Sequence, residues 1–345
     1  MDGLRGVAAI GVMMRHTVTG VSDVWLSGGY LAVDLFFVLS GFVLAHSYEK
    51  KFAKGMGVGG FMYARLVRLY PLYIVGMAIT VAGVLASWAA HMPIVWTARD
   101  LGLAALFNGL FLPSPLTVAH LEREFPLDLP AWSLFFELVI NFFYVLTWRW
   151  LSNRVLLAIC AVGGTVFAMS CFAHGSADIG ADWSTFWAGF ARIAYSFPAG
   201  ILIYRTSKRL APVSVNPWIL LVALAVILQV PANGPYRGLY DAAIVLAGFP
   251  LLVILGGAAK ESDAGRPVFA FLGLTSYAIY VLHVPTYTIA ERVCWKLLHI
   301  QNVVPWLGFG VVTLVIAGSW VLDRYYDVPV RKWLMGRWRP VPARA

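Results

Sequence analysis

Apolar residues run in blocks along almost the whole chain, separated by short polar stretches. A membrane-spanning helix needs roughly 20 such residues. Blocks of that kind predict spans at about 5–22, 30–47, 69–88, 131–149, 155–173, 183–203, 216–231, 239–258, 268–289 and 303–323. One further apolar run, 101–113, is short and stops at Pro113, Ser114 and Pro115. A run of that length is more often re-entrant, or buried inside a bundle, than spanning. The expected fold is an all-α integral membrane bundle of about ten transmembrane helices, with a short re-entrant or buried segment near 101–113. Residues 1–345 are expected to form a single membrane domain with no appended extracytoplasmic domain.

Composition agrees. Of the 345 residues, 60% are hydrophobic and 12% charged, and mean hydropathy is +0.75. A soluble domain carries about 25% charged residues. The net charge of +9 would suggest nucleic acid in a soluble protein. In a membrane protein it follows more simply from the collection of Lys and Arg in cytoplasmic loops, so no nucleic-acid partner is expected. If the N-terminus is cytoplasmic and 101–113 does not cross, the inner segments hold most of the 26 basic residues. The exceptions are Arg15, Arg99, Arg123, Arg192, Arg237, Arg292 and Lys296. Both termini are therefore expected inside, in a bacterial inner or plasma membrane. The tail after Asp323, with Trp333 and Trp338, reads as an interfacial anchor against membrane lipid. Cys160, Cys171 and Cys294 lie in or beside apolar segments without metal-ligand spacing. No metal and no tightly bound cofactor is expected.

Charge inside a membrane is costly, so each such residue needs a reason. Arg5 and His16 are 11 residues apart on the first span, about three turns, so they share a face some ~16 Å apart in height. Arg5 is either a topology anchor or an anion ligand, and His16 is either a hydrogen-bonded core histidine or a general base. Glu137, on the span that starts after Pro130, reaches a depth at which it could contact and orient His16. Arg65 and Arg68, at i and i+3, suit phosphates or anionic headgroups, or merely signal topology. Arg192 lies deep in its span and needs a carboxylate, carbonyls or an anionic ligand. Asp34 and His283 complete the set. The outer segment 114–130, with His120, Glu122, Glu124 and Asp128, is either a lid or a plain surface loop.

These residues carry a pattern. Asp2-Gly3-Leu4-Arg5 through His16 resembles the opening of the acyltransferase-three family, whose first span has an Arg and a His at this spacing. Asp34 to Phe42, Arg65 to Pro71, Trp132-Ser133-Leu134 with Glu137, Arg192 to Gly200, and Ser276 to His283 resemble that family's further motifs, in order. Asp327-Val328-Pro329 is a looser match to the ending of its last span, and no catalytic role is attached to it.

The resemblance implies transfer of an acyl group, commonly acetyl, to a hydroxyl. The expected donor is cytoplasmic acyl-CoA (acetyl-CoA), and the expected acceptor a carbohydrate or glycan, with room for a partner protein that completes the transfer. On this view Arg5, Arg65 and Arg68 bind acyl-CoA, and His16 and Glu137 are catalytic. Asp34, Ser40, Arg192 and His283 are candidates for the transition-state or acceptor site. The reading from a different class is a transporter or flippase for a lipid-linked sugar, using the same charges as a relay. A structural scaffold would leave Arg192, Glu137 and His16 unexplained.

Overall fold

The computed structural model describes residues 1–17, 25–115, 122–207, 215–259, 265–298 and 306–337. His120 and Trp338 lie outside the described residues. In a lipid solvent every backbone N–H and C=O must be paired internally, and helices do this within one segment. The chain forms α1 (Asp2–Thr17), α2 (Ala32–Ala53), α3 (Val58–Ala89), α4 (Ala98–Gly109), α5 (Ala131–Thr147), α6 (Asn153–His174) and α7 (Phe186–Thr206). It continues through α8 (Pro217–Gln229), α9 (Arg237–Ala243), α10 (Phe249–Ala258), α11 (Arg266–Arg292), α12 (Trp306–Leu322) and α13 (Val328–Arg337). A 3-10 turn, Ser27–Leu31, leads into α2, and π-helical turns join α9 to α10 and α12 to α13. Among the described residues the only extended pairing is an isolated bridge between Arg123 and Asp182.

Among the described residues, seven helical stretches are long and apolar enough to cross a membrane: Ser27–Ala53, Val58–Ala89, Asn153–His174, Trp183–Thr206, Arg237–Ala258, Arg266–Trp295 and Trp306–Arg337. These seven do not confirm the expected count of about ten. Within the described residues three of the expected spans are shorter helices, α1 with 16 residues up to Thr17, α5 with 17 and α8 with 13. Thirteen residues rise only about 20 Å, against a hydrocarbon core of about 30 Å. Proline sets part of this shortness. Pro130 precedes α5, and α8 starts at Pro217 and stops two residues before Pro231.

The 101–113 segment forms α4, whose 12 residues are too few to cross. Thr97 caps it by accepting from the Asp100 N–H, and α3 holds its far end. The Tyr73 hydroxyl donates to Asn108 O at 2.7 Å, and its ring stacks on Phe111 with centroids 4.0 Å apart. The chain after Asp323 continues as helix to Arg337. The Tyr63 hydroxyl, on α3, donates to Leu334 O at 2.7 Å and fixes α13 against that helix.

α2 and α7 cross closely because each contributes a glycine. A Cβ on Gly41 would sit 2.0 Å from Phe197 O, and one on Gly200 would sit 2.0 Å from Val38 O. Small residues at such a crossing let the backbones touch. α1 packs against α11 and is flanked by α2, α8 and α12, so both of its polar ends face the bundle.

Candidate functional site

The main cavity, about 680 Å³, opens between the start of α1, the end of α2, the start of α3, the first half of α11 and α13. Its wall is cationic: Arg5, Lys51, Arg65, Arg68, Arg331 and Lys332 line it, with Glu137 as the acidic side chain among them. Arg5, Arg65, Arg68, Ser40 and Glu137 of the expected site residues thus share one cavity.

The cations differ in what holds them. Arg65 Nη2 donates to Glu137 Oε1 at 2.5 Å, and Ser40 Oγ donates to the same oxygen at 2.7 Å. Arg68 lies over the Tyr277 ring at 5.1 Å and faces Asp327 Oδ2 at 3.6 Å. Asp327 is more closely paired with Arg331, four residues on, at 2.8 Å. Among the described residues the Arg5 guanidinium has no ion-pair or hydrogen-bond partner, so it is available to a ligand.

The expected contact between Glu137 and His16 is absent. Glu137 is taken by Arg65 and Ser40, and His16 lies near the other end of α1. There His16 meets His283. Its Nδ1 is 3.2 Å from His283 Nε2 and 2.9 Å from Val12 O, and the ring centroids are 5.2 Å apart. His283 is fully buried, and its own Nδ1 is 2.9 Å from Ile279 O. Tyr280 and Ser133 line the cavity, which His16 and His283 do not, and their hydroxyls are 2.7 Å apart. The His283 ring lies next to Tyr280, with centroids 6.2 Å apart.

Arg192 and Asp34 are neither in the cavity lining nor beside His16. They form a buried pair: Nη2 donates to Oδ2 at 2.7 Å and Nε to Oδ1 at 3.2 Å, with exposures of 1% and 0%. Two further N–H groups go to Ile179 O at 2.8 Å and Tyr30 O at 3.0 Å. The Trp132 ring covers the guanidinium at 5.1 Å. With four of its five N–H groups used, Arg192 reads as a brace between α2 and α7.

Glu124 and Asp128 of the outer segment are buried, and among the described residues neither carboxylate has a hydrogen-bond partner. Burial, with Asp182 nearby, pushes the Glu124 carboxyl up to about 8, and burial alone holds Asp128 well above the usual carboxylate range. Among the described residues no three His, Cys, Asp or Glu side chains converge as a metal site. Sequence reasoning missed Arg331 and Lys332, because basic residues near a terminus look like topology signals. The i, i+4 spacing of Asp327 and Arg331 was the available clue.

A family model described as an acyltransferase domain matches residues 1–324. The chain belongs to the acyltransferase-three family. Its relatives include the Rhizobium radiobacter protein named protein 2 in the picA locus, 42% identical over 158 residues, which cover 44% of this chain and 80% of that protein. A Staphylococcus aureus protein (strain COL), provisionally named an O-acetyltransferase, is 23% identical over 357 residues, covering 96% of this chain and 57% of its own length. The peptidoglycan O-acetyltransferase OatA of Listeria monocytogenes is 23% identical over 373 residues, covering 96% and 55%. The chain thus spans little more than half the length of these two relatives. No solved structure matches it significantly.

Proposed function

We propose that the chain transfers an acyl group, in the first place acetyl, from acyl-CoA to a hydroxyl of a carbohydrate or glycan. The observation that carries this reading is the cavity of about 680 Å³ with six cations and one carboxylate on its wall, whose lining residue Tyr280 lies next to His283 of the histidine pair. The family and its O-acetyltransferase relatives support the same reaction class. A coenzyme with several phosphates suits such a wall, because guanidinium forks bind phosphate oxygens in charge-assisted pairs. Arg5, Arg65 and Arg68 take the phosphates, with Lys332 and Lys51 at the mouth. Glu137 holds Arg65 and Ser40 in place on the wall; orienting His16 is not its task.

Arg5 and His16 are separated by about 16 Å of helical rise, a distance the uncharged pantetheine arm covers. The phosphates then stay at the wall while the thioester reaches the histidine pair. His16 takes the proton of the acceptor hydroxyl, the oxygen attacks the thioester carbon, and the C–S bond breaks. The imidazolium returns its proton to the departing thiolate. General-base catalysis of this kind contributes about 10²–10⁴-fold. Both termini lie on the cytoplasmic side of a bacterial inner or plasma membrane, where acyl-CoA is made.

The test uses the purified full chain in detergent, where no gradient can drive transport. Release of CoA from acetyl-CoA in the presence of glycan acceptors is expected, falling by about 10²-fold or more in His16→Ala. Arg65→Ala with Arg68→Ala should raise KM for acetyl-CoA, since charge-assisted bonds contribute about 1.5–3 kcal/mol each. A wild-type protein that releases no CoA with any acyl-CoA and acceptor tried would refute the reading.

A further inference from the structure

A neutral imidazole carries one N–H and one lone pair, so each nitrogen's partner reveals which it is. His283 Nδ1 sits 2.9 Å from Ile279 O. A carbonyl only accepts, so this Nδ1 bears the hydrogen and His283 Nε2 is left with a lone pair. That lone pair faces His16 Nδ1 at 3.2 Å. The same Nδ1 is 2.9 Å from Val12 O. Both neighbours of His16 Nδ1 are acceptors, so it too bears its hydrogen, and His16 Nε2 is left bare.

We infer that His283 is a positioning residue that locks His16 in the tautomer whose Nε2 is the base, and that it supports the charge His16 acquires. The inference rests on the reading of His16 as general base. When Nε2 of His16 takes the acceptor's proton, Nδ1–H becomes a cationic donor. The bond to the His283 lone pair then becomes charge-assisted, the stronger class of hydrogen bond. Here a second imidazole does the work for which sequence suggested Glu137. The pair holds one extra proton at most, because a proton on His283 Nε2 would point at the His16 Nδ1 hydrogen. Full burial of His283 keeps water from replacing either partner.

Other groups facing the pair explain the bonding less well. Arg15, on the same helix, donates to Asp178 at 2.5 Å and to Ser27 O at 2.5 Å. Arg123 is paired with Asp182 at 3.1 Å. On α11, Tyr280 gives its hydroxyl to the Ser133 and Pro130 side. Among the described residues no carboxylate reaches either imidazole.

Two readouts test the inference on the full chain in detergent. In ¹⁵N-histidine-labelled protein near neutral pH, both rings should show a protonated Nδ1 and a bare Nε2, assigned by loss of signals in His16→Ala and His283→Gln. This arm needs no turnover. In the kinetic arm His283→Gln puts an amide oxygen near the place of Nε2. It should keep kcat within about 10-fold and leave the acid limb of the pH–rate profile in place. His283→Leu removes the acceptor. It should lower kcat by about 100-fold with KM for acetyl-CoA unchanged, and move the acid limb to lower pH, because the imidazolium loses its support. A His16 ring protonated at Nε2, or Gln and Leu variants with equal loss and unmoved profiles, would overturn the inference. Should His283→Leu not fold, the labelled wild type and His283→Gln still decide it. A wild type without CoA release would instead count against the reading of the enzyme, and the labelling result would stand by itself.

Discussion

Replacing Arg192 by Met removes the cation from a pair with almost no solvent around it. Asp34 would be left at 0% exposure without its two donors, at 2.7 and 3.2 Å. The carbonyls of Ile179 and Tyr30 would lose their donors as well. Breaking a buried ion pair from one side costs about 3–5 kcal/mol. Arg192→Met should therefore lower the thermal midpoint in detergent sharply. Adding Asp34→Leu removes the stranded carboxylate and should restore more than half of that loss. Recovery stays partial, since each carbonyl left unpaired costs about 1 kcal/mol or more. Activity per folded molecule of the double variant should stay near wild type, since neither residue lines the cavity. An Arg192→Met protein that melts like wild type but transfers no acetyl group would refute the brace and return Arg192 to the chemistry.

Two more outcomes are expected. Glu124 keeps its proton in the folded chain up to about pH 8, while the unfolded carboxyl loses it near the ordinary glutamate value of 4.5. The folded state thus binds more protons in that window, and stability should fall by about 1.4 kcal/mol per pH unit between these values and level off above. Glu124→Gln should remove the slope, read as the difference between wild-type and variant melting midpoints from pH 4 to 9; parallel curves would contradict the burial argument. Orientation is tested in a background with Cys160, Cys171 and Cys294 changed to Ser. A cysteine at Glu122 should react with an impermeant reagent from outside and one at Lys54 should not, and the reverse pattern would invert the topology.

The all-helical membrane architecture was legible because lipid imposes one pattern, long apolar runs, that survives in any sequence. Helix lengths were less so. α8 reads as a span by hydropathy, but Pro217 and Pro231 bound it at 13 residues. The continuation through Asp323 and Asp327 to Arg337 was hidden, because acidic and basic residues one turn apart look like a loop until their pairing is known. Of the site, the cluster of Arg5, Arg65 and Arg68 was visible from spacing and side. The partner of His16 was not. Depth along a helix limits which residues meet, but rotation about the axis decides it, and sequence fixes rotation poorly when all faces are apolar. Glu137 was compatible in depth; the turn of α11 instead brings His283 to His16, and that of α5 brings Glu137 to Arg65 and Ser40.

The two ends of α1 therefore stand in opposite electrostatic settings. At Arg5 the wall carries six cations against the single carboxylate of Glu137, and the Arg5 guanidinium itself has no partner among the described residues. At His16 each nearby charge is already paired, Arg15 with Asp178 and Arg123 with Asp182, and the two imidazoles face each other. A surplus of cations favours an anionic ligand, and a charge-balanced pair of rings favours a neutral one. Some ~16 Å of helix separates them, more than a Debye length of about 8 Å at physiological salt, though a low-dielectric interior screens less than water does. Under the proposed reading, affinity for the donor is set at one end of α1 and reactivity at the other. Substitutions at Arg5, Arg65 or Arg68 should then act mainly on KM, and substitutions at His16 or His283 mainly on kcat.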